Sequence, residues 1–278
     1  MPNAGDLTAN TSRFIAMFVG PKHSGKTCAA ASFLPTRKDQ NRIRIFDFDG
    51  RINGLLGAPW IDRTLVDYDY YPPRLSASNK DNTKQVMERL NNDFDFLLSQ
   101  YKTGSCPYGT VILDSLTAET FALLCDAIPL THSEGKGKKI GTLNMAGPED
   151  YGFEATGTYA TLAFLRSVPA QNIIVTAHVI PRYGRLNEDD KYSERVIVGE
   201  QLSLRDKITA NIGIYFDHIF RFDREVIGQK ERHSVVFRSD LACTSFPQLP
   251  FGKIDITGKS LQEVIKNYIS PSIATTTS

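Results

Sequence analysis

Short apolar runs alternate along the chain with longer stretches whose hydrophobic residues recur at helical spacing. That pattern predicts an α/β protein with a mostly parallel, doubly wound sheet. Arg13 to Val19 (RFIAMFV) is an apolar run stopping at a glycine, as a buried strand does. Lys26 to Leu34 reads as a helix that must stop near Pro35. Arg42 to Phe48, Thr110 to Leu113 and Asn172 to Ala177 read as three further strands. Asn79 to Tyr101 has helical spacing, with Val86, Leu90, Phe94, Leu97 and Leu98 along one face. Ala118 to Ile128 and Tyr151 to Val168 read as helices. Ile214 to Phe222 and Ser234 to Arg238 read as strands of a C-terminal antiparallel hairpin that closes the sheet.

Three stretches lack such a period. Residues 50–78, with Pro59, Pro72 and Pro73, read as irregular; 131–147 reads as a Gly/Lys-rich loop; 180–213 reads as a long, polar functional loop with local structure. Residues 1–12 form an expected flexible arm, 13–267 a single domain, and 268–278 (ending PSIATTTS) a disordered tail.

Composition narrows the class but not the chemistry. The 278 residues are 41% hydrophobic and 23% charged, as in an ordinary globular protein. A formal net charge of +1 gives no global reason for a nucleic-acid or membrane partner, so such binding must come from local patches. No apolar run approaches the roughly 20 residues of a membrane-spanning helix, and the polar N-terminus has no signal-peptide pattern. Cys28, Cys106, Cys125 and Cys243 are widely spaced, without a CxxC pair, which points to a reducing cytoplasm rather than a disulfide framework.

The specific motif is Gly20-Pro21-Lys22-His23-Ser24-Gly25-Lys26-Thr27, followed by Cys28. A glycine-rich turn that opens a helix aims backbone N–H groups and a positive dipole end at phosphate oxygens. Gly20 and Gly25 permit the tight wrap, Lys26 reaches the β- and γ-phosphates, and the Thr27 hydroxyl ligates Mg²⁺. Pro21, Lys22, His23 and Ser24 are loop interior, with no catalytic role for their side chains. The motif sits after an apolar strand and before a helix, which is the context a phosphate cradle requires.

Three strand tips carry candidate partners. Asp114, after TVIL, fits the acidic residue that faces the magnesium; the alternative is a cap on the helix beginning near Ser115. Asp47 and Asp49 end the strand RIFDFD. Asp49 lies further toward the carboxyl end, where open α/β sheets bind ligands, and so is the candidate to position the attacking water. Its alternative role is a turn aspartate before Gly50. His178, directly after NIIVTA, is either a γ-phosphate sensor or a structural histidine.

In this order and spacing the P-loop, RIFDFD, TVILDSLT, NIIVTAHV and YFDHIFRF resemble the RecA-like ATPases of bacteriophages. The nearest group is the phage AAA-domain nucleotide-binding proteins, which include the Sak-type single-strand annealing ATPases. The resemblance spans roughly residues 13 to 258, though only the P-loop is a sharply specific motif. It implies a RecA-like P-loop NTPase using ATP and Mg²⁺, assembled as a ring or filament of identical subunits in the host cytoplasm. It further implies single-stranded DNA as partner, DNA-stimulated hydrolysis, and a task in recombination, annealing or replication. RecA proteins usually carry glutamate where this chain has Asp49, which bears on the hydrolysis rate. Such ATPases also use a basic residue of the adjacent subunit, for which Arg238 is the candidate; a surface arginine without such a role is the alternative.

In RecA-like proteins the loops after the third and fourth core strands face DNA. The first here carries Lys136, Lys138 and Lys139 among glycines. The second carries Arg182, Tyr183 and Arg185, a basic pair around a ring that could stack on a base. Residues 180–211 nevertheless hold six basic and six acidic side chains, so a solvated loop or subunit contact competes with DNA binding. Two further readings stay open: a nucleotide-binding assembly switch with little hydrolysis, and a small-molecule or polynucleotide kinase. The kinase needs an arginine-rich lid, and the chain has no compact arginine cluster to supply one.

Overall fold

The computed structural model describes residues 13–73, 86–131, 139–140, 143–144, 146–185 and 194–269. The elements in chain order are β1 (Phe14–Gly20), α1 (Lys26–Ala30), β2 (Arg42–Asp47), β3 (Val66–Tyr70), α2 (Val86–Lys102) and β4 (Tyr108–Asp114). Then come α3 (Leu116–Thr131), the short pair β5 (Lys139–Ile140) and β6 (Leu143–Asn144), α4 (Pro148–Ser167), β7 (Asn172–Arg185) and β8 (Arg195–Leu202). The chain continues through α5 (Asp206–Ile212), β9 (His218–Ile227), β10 (Lys230–Val236), β11 (Cys243–Thr244), β12 (Lys253–Asp255) and α6 (Leu261–Ile269).

The main sheet has the order β12-β10-β9-β1-β7-β4-β2-β3, with β11 on β9 and β8 on β7. From β3 to β9 every pairing on that path is parallel, and β9–β10 and β10–β12 are antiparallel. This is the mostly parallel sheet with a C-terminal antiparallel hairpin that the hydrophobic pattern predicts. Both faces are covered, as parallel strands require. Along β1, Ile15, Met17 and Val19 join one core with residues of α2, α3, α4 and α5, while Phe14, Ala16 and Phe18 join a second with α1 and α6. The α2 stripe is buried at Val86, Leu90, Phe94 and Leu97. Each such side chain contributes roughly 1.5–3 kcal/mol through burial.

The structure departs from the sequence expectation in particular places. Within 180–213 the described residues are more regular than the local structure expected of a loop. β7 runs on for 14 residues and pairs antiparallel with β8 as a projecting ribbon, and α5 follows. Ribbon residues face solvent on both sides, so the apolar run that marks a buried strand ends at Val179 while the backbone pairing continues. The stretch read as irregular contains β3, whose sequence VDYDY is too polar to signal a strand. Its carboxylates are instead matched by arginines of β2: Asp67 meets Arg42 at 2.7 Å and Asp69 meets Arg44. α1 is only five residues long, because the chain turns at Ala31 and Ser32 before Pro35. The 131–147 loop contains the β5–β6 pairing, and α6 extends two residues past Asn267. The expected arm 1–12 and residues 270–278 of the expected tail lie outside the described residues.

Candidate nucleotide-binding site

Gly20 ends β1 with Phe222 of β9 so close that a Cβ there would run into the Phe222 carbonyl oxygen. The following turn passes through His23 at φ 63° and Gly25 at φ 89°, left-handed values that glycine adopts freely and histidine does not. The loop then delivers Lys26 and Thr27 into the first turn of α1. This concave run of backbone at a helix start is a cradle for an anion.

Lys26 is buried, only 5% exposed. Its Nζ donates to the carbonyls of Gly20 at 2.9 Å and Pro21 at 2.8 Å, and lies 3.4 Å from His178 Nδ1. Burial lowers its pKa to about 8, although the Asp114 and Asp49 charges pull it upward.

Around the lysine the structure brings together the tips of three strands. β7 lies between β1 and β4, so the strand carrying Asp114 is one removed from the P-loop strand, with His178 in between. Thr27 Oγ1 donates to Asp114 Oδ2 at 2.7 Å, and Thr176 of β7 donates to the other oxygen. Asp114 is fully shielded, and burial raises its pKa. The adjoining Asp114–Ser115 peptide is cis.

Asp49 accepts from Ser115 Oγ at 3.1 Å on one oxygen and meets His178 Nε2 at 2.8 Å on the other. Burial works to raise its pKa, but the His178 and Ser115 contacts and the Arg51 charge outweigh it and hold the carboxyl below its usual range. The His178 tautomer protonated on Nε2 satisfies both its contacts, donating to Asp49 and accepting from Lys26. The His178 backbone N–H donates to Thr117 Oγ1 at 3.0 Å, which pins the strand tip to α3. A continuous chain thus runs Ser115–Asp49–His178–Lys26. Asp47, by contrast, turns back on its own loop. Its Oδ1 accepts from Gly50 N at 2.8 Å, and burial raises its pKa to about 6 despite that bond.

A cavity of about 530 Å³ spans this cluster and continues past Cys28 to Trp60 and the turn 256–259, with Arg51, Glu231 and His233 also in its lining. None of Arg51, Trp60, His233, Thr257 and Lys259 carried a signal in sequence. They come from three separate segments, and only the topology joins them. Pro21 and Lys22 do not line the cavity, whereas His23 through Cys28 do.

The donor set suits magnesium. A hydroxyl and a carboxylate converge at Thr27 and Asp114, and Mg²⁺ on nucleotides takes one or two protein oxygens with phosphate and water completing its shell. Among the described residues no group of three or more His, Cys, Asp or Glu forms a self-sufficient metal cage.

Arg238 is not part of this cavity. Its Nη2 donates to the Phe246 carbonyl at 3.1 Å, its guanidinium lies 4.8 Å from the Phe251 ring centre, and its Nε has no partner among the described residues. Arg182, Tyr183 and Arg185 lie on the β7–β8 ribbon, which holds Tyr183 59% exposed. Tyr183 pairs with Ile197, and Arg185 stands directly opposite Arg195. Lys136 and Lys138 lie outside the described residues, and only the backbone of Lys139, in β5, lies within them.

No family model matches the chain, and no curated protein does. Among solved structures it is similar to the flagellar accessory protein FlaH from Methanocaldococcus jannaschii. That likeness has 13% identity and a TM-score of 0.42, and covers 87% of this chain and 83% of that chain. It is also similar to the KaiC-like protein PH0186 from the hyperthermophilic archaeon Pyrococcus horikoshii OT3. Here the identity is 11% and the TM-score 0.47, with 86% of this chain and 83% of that one covered.

Proposed function

We propose that the chain is a magnesium-dependent ATPase that acts on single-stranded DNA as a homo-oligomer, in the manner of the phage annealing ATPases it resembles. The observation that carries the catalytic half is the Ser115–Asp49–His178–Lys26 chain beside the Thr27–Asp114 pair. In this reading Lys26 and the loop N–H groups hold the phosphates. Thr27 and Asp114 would hold a magnesium ion, which would supply positive charge to offset the phosphate oxygens. Asp49, kept ionised and oriented by His178 and Ser115, accepts a hydrogen bond from the attacking water and takes its proton. His178 bridges Lys26 and Asp49, so it is placed to register a γ-phosphate and pass its loss along β7.

DNA binding is supported by the ribbon. Like charges placed directly opposite on paired strands repel, so the Arg185–Arg195 pair favours an anion between or above them, and the exposed Tyr183 offers a neighbouring base a stacking face. Arg238 stays the candidate basic residue for a neighbour's site, since it lies outside its own cavity.

A second reading has one observation in its favour. Both Asp49 oxygens are already engaged, which slows a base and suits a switch that binds ATP and hydrolyses it little. Phosphate release with and without single-stranded DNA, with Lys26→Ala as control, separates the two. DNA-stimulated release supports the motor; binding without turnover supports the switch.

A further inference from the structure

The cavity has two chemically different ends. Lys26, Thr27, Asp49, Asp114 and His178 gather where phosphate and magnesium would sit. Beyond the first turn of α1 the lining mixes small and apolar residues, among them Ala29, Gly54, Gly57 and Ala58, with the charged Arg51, Glu231 and Lys259. Cys28 Sγ donates to the Gly54 carbonyl at 3.4 Å, which fixes the turn 52–57 against the helix, and Trp60 follows that turn. The remaining wall there is the turn 256–259, held by the His233 N–H donating to Thr257 Oγ1 at 2.8 Å. A nucleotide with its phosphates in the P-loop would extend its nucleoside into this second end.

Trp60 is the one tryptophan in the chain and, histidines aside, the one aromatic ring lining the cavity among the described residues. It is partly buried against the core around α1, and its Nε1–H has no acceptor among the described residues, so the indole is placed by packing alone. A ring fixed by its apolar contacts and bordering the nucleoside end is a stacking platform for a planar base.

We propose that Trp60 is the stacking surface for the nucleobase of the bound nucleotide, an inference that rests on the nucleotide-binding reading above. Inorganic tripolyphosphate carries the phosphates without the base, so it separates the two claims. Titrations with Mg-ATP and Mg-tripolyphosphate are made on the wild-type protein, Trp60→Phe and Trp60→Ala, and Trp60 emission is followed in the wild type. ATP is expected to change that emission and tripolyphosphate to leave it alone. Trp60→Ala should weaken ATP binding by roughly tenfold or more, as loss of a base–aromatic stack does. It should leave tripolyphosphate binding as it was, and Trp60→Phe should keep most of the ATP affinity.

Trp60→Ala that binds both ligands like the wild type overturns the proposal and leaves the nucleotide reading standing. So does an equal loss for both ligands, which makes Trp60 a purely structural residue. Should Trp60→Ala not fold, wild-type ATP binding with no change in emission overturns the proposal in the same way. A wild-type protein that binds neither ligand overturns the nucleotide reading, and the proposal with it.

Discussion

His178 Nε2 lies 2.8 Å from Asp49 Oδ2 while its Nδ1 faces Lys26 Nζ at 3.4 Å, so one imidazole joins the P-loop lysine to the candidate base. Removing the ring breaks both links without touching the P-loop backbone. His178→Ala is expected to lower ATP turnover by about two orders of magnitude, the scale of a misplaced acid–base group. Its ATP affinity should stay within a few-fold of the wild type. Parallel calorimetry and phosphate-release assays measure both; an equal fall in affinity and turnover would make His178 a binding residue only.

Lys26 must be charged to hold phosphate, and burial brings its pKa down to about 8 in the protein without nucleotide. ATP affinity should therefore decline as pH rises through 8. The Lys26→Met variant should bind weakly, with a flat profile over the same range. The stability sign is opposite. Between pH 8 and 10.5 the unfolded chain holds more protons at this site than the folded one, so the lysine's contribution to stability improves with pH there. Dissociation constants from pH 7 to 9.5 test the first statement, and urea unfolding of the wild type against Lys26→Met tests the second.

Arg185 and Arg195 face one another across the ribbon. Their joint replacement by alanine should weaken single-stranded DNA binding and reduce the slope of log K against log salt by roughly 1.4, two phosphate contacts' worth. Tyr183→Ala should lower DNA affinity at every salt concentration without altering that slope. Fluorescence anisotropy across a salt series distinguishes the two; an unchanged slope in the arginine variant removes the ribbon from the DNA path.

Arg238 offers a mixing test. Arg238→Ala and Lys26→Ala are each expected to be inactive alone, the first with normal ATP binding. Mixed subunits should regain a fraction of wild-type turnover, because an intact P-loop then meets an intact arginine from its neighbour. No recovery on mixing assigns Arg238 a role within its own subunit.

Glu119 is buried between α3 and α4, accepting from Thr158 at 3.3 Å, and burial raises its pKa to about 8. From pH 4.5 to 8 the folded protein holds this proton more firmly than the unfolded chain does. Stability from this group is therefore full below pH 4.5 and is lost as pH rises toward 8, by as much as about 4 kcal/mol. Glu119→Gln keeps the acceptor and cannot ionise. Urea denaturation at pH 5 and pH 8 should show the wild type losing more stability than this variant.

Sequence made the cradle legible because its chemistry is local: Gly20, Gly25, Lys26 and Thr27 sit within one turn and declare themselves by spacing. Asp49, Asp114 and His178 were readable as strand tips because apolar runs end visibly at them. What could not be read were partnerships across the sheet. Ser115 and Thr176 look like ordinary polar residues until β7 is placed between β1 and β4, and Trp60 reaches the cavity only through the packing of a proline-rich connection. The ribbon was missed for a related reason. Its residues alternate toward solvent on both faces, so burial leaves no period to detect, and only backbone pairing defines it. β3 hid in the same way, its aspartates belonging to arginines of another strand.

β7 carries His178 at the P-loop end and Arg185 at its described tip, seven residues further along the same extended backbone. At about 3.3 Å per residue the tip stands roughly 23 Å from the histidine. That span stays in one strand, with a register shift in its pairing to β8 between Arg182 and Tyr183. A tilt of about 5° at the histidine would swing the tip by about 2 Å over that length. If His178 registers the phosphates as proposed, the ribbon would move with them by a stroke set by strand length instead of by an ordering loop.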